Sequence, residues 1–200
     1  MLEDSSMNSQ ATKMLSEFLQ KGQKLRKLSL VGVRFNDTQE VKWILEGITK
    51  STSIKHLVLN GNEYREVGLS DAFRILIKQN RGMRDLDLST CIFHPKVLQS
   101  IFDSLSSGLI WKLSLRNIQI SKIEGAILAY FFLHAKNVHH LDLSYNYGAP
   151  EHYEFLRSFS TDGGFRSLTL DEVKADLSDH IAELGSRIAE NKRLEYFSIK

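Results

Sequence analysis

Apolar and polar residues follow one phrase that recurs seven times along this chain. Segments beginning at Leu25, Ile54, Met83, Ile110, Val138, Phe165 and Leu194 all read apolar-x-x-apolar-x-apolar, as in IKHLVL, MRDLDL and VHHLDL. Subtracting their residue numbers places the starts 27 to 29 residues apart. Inside each phrase the last two apolar positions are two apart, the spacing of a short strand. Leu57 and Leu59 then point one way, and His56, Val58 and Asn60 the other. A period of this length is the mark of a solenoid, whose units bury apolar surface only against their neighbours.

Between the phrases the apolar spacing changes to that of helices. Leu69, Ala72, Phe73, Leu76 and Ile77 lie on one helical face, with Ser70 or Asp71 as the expected cap. Val41, Leu45 and Ile48 form an earlier stripe, and Val97, Leu98, Ile101, Phe102 and Leu105 a later one that opens after Pro95. Ile123, Ile127, Leu128, Phe131 and Phe132 form the fourth. Tyr153, Leu156 and Phe159 form a weaker fifth, and Leu177, Ile181, Leu184 and Ile188 the sixth. Met14, Leu15 and Phe18 predict a leading helix from a half unit. Strand and helix alternating in this way give an α/β fold with a parallel sheet and helices along one side. Strands lie about 4.8 Å apart and packed helices about 8–10 Å, so the stack should bend into an arc with the sheet on the concave side and the helices on the convex side.

The phrase and the turn after it resemble the leucine-rich repeat, LxxLxLxxN/C, most clearly in IKHLVLNGN, MRDLDLSTC and VHHLDLSYN. The period and the full helix per unit are similar to the ribonuclease-inhibitor-like subclass, which implies a horseshoe. That subclass includes enzyme inhibitors, GTPase-activating proteins, immune sensors, ubiquitin-ligase adaptors and actin regulators. LRKLSLVGVRFND is also similar to C-terminal repeats of the tropomodulin and capping-protein-regulator families. The Asn/Cys position holds Asn62, Cys91 and Asn146 in three units but Val33, Ile118 and Val173 in three others, where irregular turns are expected. Residues 1–10 are expected to be a disordered N-terminal segment. Residues 11–200 are expected to form the repeat domain, a helical half-repeat followed by about six full repeats and a seventh strand. That last strand ends at Lys200 with apolar residues on its free side, so the chain is expected to continue in a longer array or to have that edge covered by a partner.

Charge narrows the partner. The 26 Lys and Arg nearly balance the 24 Asp and Glu, a formal net charge of +2, so nothing drives the whole chain toward nucleic acid or an anionic membrane. A single cysteine, Cys91, and the lack of a signal-like start fit a cytoplasmic or nuclear protein, and no segment is long and apolar enough for membrane insertion. The outward strand positions form a mosaic of both signs suited to a specific protein surface. The candidate protein-binding residues are Lys27, His56, Asp85, Asp87, Lys112, Arg116, His140, Asp142, Asp171 and Tyr196, with Tyr145 and Tyr147 beside the fifth turn. Asp85, Asp87, Lys112 and Arg116 are expected to neutralise one another in part across adjacent strands. Phe35, Tyr64, Phe93 and Ile120 share one slot after the turns and are expected in the core, as is Trp111.

Catalytic chemistry finds little footing. No phosphate-binding loop, dinucleotide fingerprint, HExxH or GxSxG is present. His139 and His140 should point to opposite faces of a strand and so do not make one metal site with Asp142. No cofactor, metal or catalytic residue is expected. The leading reading is a non-enzymatic protein-interaction module, part of a larger regulatory or scaffolding protein. The alternatives are a GTPase-activating role through a rim arginine such as Arg34 or Arg65, and an actin-regulatory role.

Overall fold

The computed structural model describes residues 2–3, 5–22, 24–173 and 177–200. In chain order these form β1 (Leu2–Glu3), β2 (Ser6–Met7), α1 (Ser9–Lys21), β3 (Lys27–Val31), β4 (Arg34–Phe35), α2 (Thr38–Lys50), β5 (His56–Val58), β6 (Glu63–Tyr64), α3 (Ser70–Gln79), β7 (Asp85–Asp87), β8 (Ile92–Phe93), α4 (Pro95–Leu105), β9 (Lys112–Ser114), α5 (Lys122–His134), β10 (His140–Asp142), β11 (Ser167–Thr169), α6 (Ser178–Glu190) and β12 (Tyr196–Ser198). Short 3₁₀ helices at Val67–Leu69 and Pro150–Ser158 complete the set. Eight strands form one sheet in the order β1-β3-β5-β7-β9-β10-β11-β12, so the strands lie in space in the order of the chain. Each pairing among them is parallel, and Leu28, Leu57, Leu86, Leu113, Leu141, Leu168 and Phe197 lie side by side in register. All of these but Phe197 are buried against the helices, while their sequence neighbours face outward.

Helical stripes fill the other side. Val41, Leu45, Phe73, Leu76, Ile101, Phe102, Leu128 and Phe132 are all buried. Aromatic rings tie later units together, with Phe102 stacked on Phe131 at 4.6 Å and Phe132 edge-on to Phe155 at 5.2 Å. Phe35, Tyr64, Phe93 and Ile120 join the core as expected, and Tyr64 stacks on Phe93 at 5.6 Å.

Several local expectations are corrected. The described part of residues 1–10 is ordered: Leu2 and Glu3 pair with Leu30 and Val31, and Ser6 and Met7 with Arg34 and Phe35. This segment repeats the strand–strand–helix plan in abbreviated form and covers the first edge of the sheet. Its helix α1 buries Thr12, Ser16 and Leu19 rather than Met14 and Phe18, which are 64% and 58% exposed. The reason is a close helix crossing in which Ser16 Oγ donates to the Trp43 carbonyl at 2.6 Å. α3 has no side-chain cap from Ser70 or Asp71. A 3₁₀ turn runs into it, and Ser70 Oγ turns back to donate to the Val67 carbonyl. The fifth helix is 3₁₀, which follows from the three-residue spacing of Tyr153, Leu156 and Phe159. It lies so close to α5 that a Cβ at Gly125 would clash with the His152 carbonyl. With Gly125 facing inward, Ile123 turns out and is 57% exposed.

The turns leaving the strands of the first six phrases share one left-handed residue. The turn after Ile118 departs from the others as expected, because Gln119 is left-handed too, with φ of 55°, and the turn after Val173 runs outside the described residues. Gly32, Gly61, Thr90, Asn117, Tyr145 and Glu172 occupy the same place and all have positive φ, between 53° and 68°. Asn62 supplies what Val33 lacks: its Oδ1 accepts the Val33 amide at 2.8 Å, and its Nδ2 donates to the carbonyls of Leu30 and Leu59. Asn146 does the same for Ile118, Leu115 and Leu143. Cys91 donates its thiol hydrogen to the Leu59 carbonyl. At the opposite ends of the strands, Asn80 reaches back to the carbonyls of Ile48 and Ser51 while accepting the amides of Gly82 and Met83.

Glu40 locks the first unit. It is fully buried, accepts from Ser9 Oγ at 2.6 Å and from the Asn36 backbone amide at 2.7 Å, and receives the Asn36 side-chain amide as well. Burial is the largest influence and pushes its pKa up, but these donors together outweigh it and the net shift is downward. A lowered folded-state pKa stabilises the fold above the ordinary carboxylate range, and that gain is lost as pH falls through the folded pKa. Glu40→Gln should therefore cost about 1–3 kcal/mol at neutral pH. Denaturant melts of both proteins should show the gap narrowing below pH 4–5, roughly the range where a free glutamate titrates.

Tyr145 carries a bulky side chain in a left-handed conformation that costs an ordinary residue about 1–2 kcal/mol. Unit four has Asn117 at this place, a residue that tolerates it. Tyr145→Asn should raise the unfolding free energy by about 1 kcal/mol in a urea titration. A loss of stability would mean that packing of the ring outweighs the strain.

Candidate functional site

The face of the sheet opposite the helices is uncovered, and register decides which side chains meet on it. One row runs Lys27, His56, Asp85, Lys112, His140, Ser167, Tyr196; the next runs Ser29, Val58, Asp87, Ser114, Asp142, Thr169, Ser198. Asn60, Arg116, Asp171 and Lys200 follow where the strands turn away. Side chains in a row are about one strand spacing, 4.8 Å, from their neighbours.

Two constellations organise this surface. Asp85 is the centre of the first: one carboxylate oxygen lies 2.6 Å from His56 Nδ1, and the other accepts the Trp111 indole N–H at 2.9 Å. The indole meets the rings of His140 and His139 edge-on, with centroids at 5.8 Å and 6.5 Å. Trp111 is thus 47% exposed rather than buried, and it unites two histidines that strand alternation would separate. The second constellation centres on Arg116, whose guanidinium lies 3.8 Å from Asp142 and 4.8 Å over the Tyr145 ring. A shallow groove bordered by Asp85, Trp111, Lys112, His140 and Asp142 lies between the two.

The expected neutralisation among Asp85, Asp87, Lys112 and Arg116 gives way to these other pairings. Asp87 and Asp142 each accept the amide two residues on, Ser89 at 3.0 Å and Ser144 at 2.9 Å, and so shape the turns. Asp87 also accepts from Asn60. Asp171 accepts from Ser198 Oγ at 2.6 Å and lies 3.6 Å from Lys200 Nζ. Lys27 and Lys112 are exposed and form no ion pair among the described residues. Tyr145, Tyr147 and Tyr196 are exposed; Tyr196 shares the first row, and the other two lie past the strand ends. Of the candidate residues, His56, Asp85, Lys112, Arg116, His140 and Asp142 therefore form a contiguous patch, with Lys27 and Tyr196 in the outer strands of the same sheet.

Trp111 is the residue that sequence reasoning missed. Its signal was its position: the second residue of every other phrase is polar, namely Arg26, Lys55, Arg84, His139, Arg166 and Glu195. Cys91 offers no ready nucleophile, because burial pushes its thiol up to about 12. Among the described residues no group of three His, Cys, Asp or Glu is placed to hold a metal ion, and no helix is long and apolar enough to cross a membrane.

No protein-family model matches the chain, and no curated protein does. Among solved structures the chain is similar to one described as "Leiomodin-1 Actin-Binding Site 2 (ABS2)", with 14% identity and a TM-score of 0.53, over 89% of this chain and 87% of that one. At such identity the likeness speaks for the fold: an α/β arrangement of a large parallel sheet and helices, of leucine-rich-repeat-like form.

Proposed function

We propose that this chain is a leucine-rich-repeat solenoid of the ribonuclease-inhibitor-like kind, curved with its strands on the concave side, that binds a protein partner through the uncovered sheet face. It acts by binding and not by catalysis, in the cytoplasm or nucleus, as part of a larger regulatory or scaffolding assembly. The observation that carries this reading is the patch around Trp111 and Arg116. An exposed indole and an exposed tyrosine are held in place by Asp85 and Arg116 before any partner arrives. Aromatic and arginine side chains of this kind dominate binding energy where they are buried by a partner, and fixing them beforehand lowers the entropy lost on association. Unpaired Lys112 beside them supplies a charge for selectivity.

An actin-regulatory role is the second reading. It is favoured by the likeness to a leiomodin-1 segment described as an actin-binding site. For the GTPase-activating alternative Arg65 is already paired with Glu63 at 2.8 Å, which leaves exposed Arg34 as its candidate arginine.

Lys112→Glu with Arg116→Glu should remove a specific partner captured by the native chain from lysate, lowering its affinity by about tenfold or more once the partner is purified. Glu46→Lys, on the helix side, should leave that partner bound. Equal capture by all three proteins would place the interface elsewhere. Co-sedimentation with actin filaments, together with binding to actin monomers, tests the second reading. The same double substitution should abolish any association found, and no association with either form of actin would end it.

A further inference from the structure

The second residues of the phrases form a row of their own along the edge of the sheet where the strands begin. The Arg26 carbonyl accepts the amides of both Lys55 and His56, and the Lys55 carbonyl those of Arg84 and Asp85. The Arg84 carbonyl accepts from Trp111 and Lys112, the Trp111 carbonyl from His139 and His140, and the His139 carbonyl from Arg166 and Ser167. Arg26, Lys55, Arg84, Trp111, His139 and Arg166 are therefore successive neighbours, about 4.8 Å apart at the backbone. Five of these six are basic or imidazole side chains and the sixth is the exposed indole; the seventh member, Glu195, whose amide donates to the Arg166 carbonyl, is acidic and ends the row.

Little in the structure neutralises this edge. Glu195 pairs with Arg166 at 3.0 Å, and Asp85 is engaged by His56 and Trp111. Arg26 and Lys55 have no carboxylate partner among the described residues. Arg84 is held by three carbonyls, those of Arg81, Gly82 and Met83, which fix its position without cancelling its charge. Lys192 and Arg193 line a hollow with His139, Arg166 and Glu195, adding two cations beside the one carboxylate at that end of the row. Partial burial is the main cause holding the His139 imidazole below its ordinary pKa, with Arg166, His140 and Arg193 adding to it. The charged neighbours are thus a smaller contribution than the loss of water around the ring.

We infer that this amino edge of the sheet is a second docking surface, bordering the uncovered face and sharing Trp111 with it, that takes an extended acidic segment of a protein. Long basic side chains in a linear row suit carboxylates spaced along an extended peptide, and Trp111 offers an apolar station in the middle. A polynucleotide fits less well. The adjoining face is mixed in sign, with Asp85 and Asp87 beside Lys27, Lys112 and Arg116, so a continuous polyanion meets carboxylates as well as cations, whereas a peptide places its charges only where they are matched.

The test uses the whole chain and a fluorescein-labelled peptide of alternating glutamate and serine with one central leucine. A thymidine oligonucleotide of the same charge is the comparison. The peptide should bind at low salt and weaken as salt screens the charges. Arg26→Glu with Lys55→Glu should lower its affinity about tenfold. Arg26→Gln with Lys55→Gln should give a smaller loss in the same direction, and circular dichroism of each variant confirms that the fold is kept. Lys112→Glu with Arg116→Glu should lose much less. The inference is overturned by no peptide binding at low salt, by equal binding of the native and edge-reversed chains, or by tighter binding of the oligonucleotide than of the peptide. None of these results touches the uncovered-face reading, which uses neither Arg26 nor Lys55.

Discussion

A ladder of backbone hydrogen bonds between successive units fixes the register on which every surface of this protein depends. At the start of each strand one carbonyl accepts two amides from the following unit. At the end, the residue with positive φ donates its amide to the next unit, as Gly61 does to Ser89 and Thr90 to Arg116. Both ends of each strand are thereby tied, although most sheet strands are only three residues long. Such strands have little stability alone; the burial of one leucine pair per unit against the helices makes the pairing persist. A slip of one residue would turn every leucine outward, so the apolar pattern and the hydrogen-bond pattern enforce the same alignment.

That alignment sorts the polar side chains by task. Asp87 and Asp142 cap turn amides and shape the backbone. Asp85 orients an indole and an imidazole. Lys27 and Lys112 remain in solvent with no structural duty visible in the hydrogen bonds around them. Carboxylates at equivalent places in the phrase thus differ in what they can offer a partner. Those already saturated by the backbone lend rigidity, and those holding an aromatic ring lend position. The unpaired lysines are left to supply charge.

Much of the architecture was legible because it rests on period alone. The seven phrases, the alternation of strand and helix, and most buried positions of the helices follow from spacing. What spacing does not encode is which neighbour a side chain finds. Met14 and Phe18 look like a core stripe, but the small residue Ser16 allows the closer helix approach, and the larger side chains are turned out. Trp111 reads as core by its chemistry and as surface by its place in the phrase, and place wins. Val33 and Ile118 imply unsatisfied turn amides only if each unit is judged by its own residues; the missing groups arrive from the unit that follows. Residues 2–3 and 6–7 lack any apolar pattern, yet they pair, because backbone groups at the first sheet edge need partners whatever the side chains are.

The asparagines at the turns set a different boundary from the one the repeated phrase suggests. Asn62 completes the turn of the unit before it as well as its own, and Asn146 does so again further along. In these two places the structural quantum is consequently offset from the sequence period, since the unit is finished by its successor. Genetic exchange cut at the phrase boundaries would strand a buried amide, whereas exchange that carries the downstream asparagine along would not. Duplication and loss in an array built this way should travel in overlapping pairs, and its grammar is written between units rather than inside them.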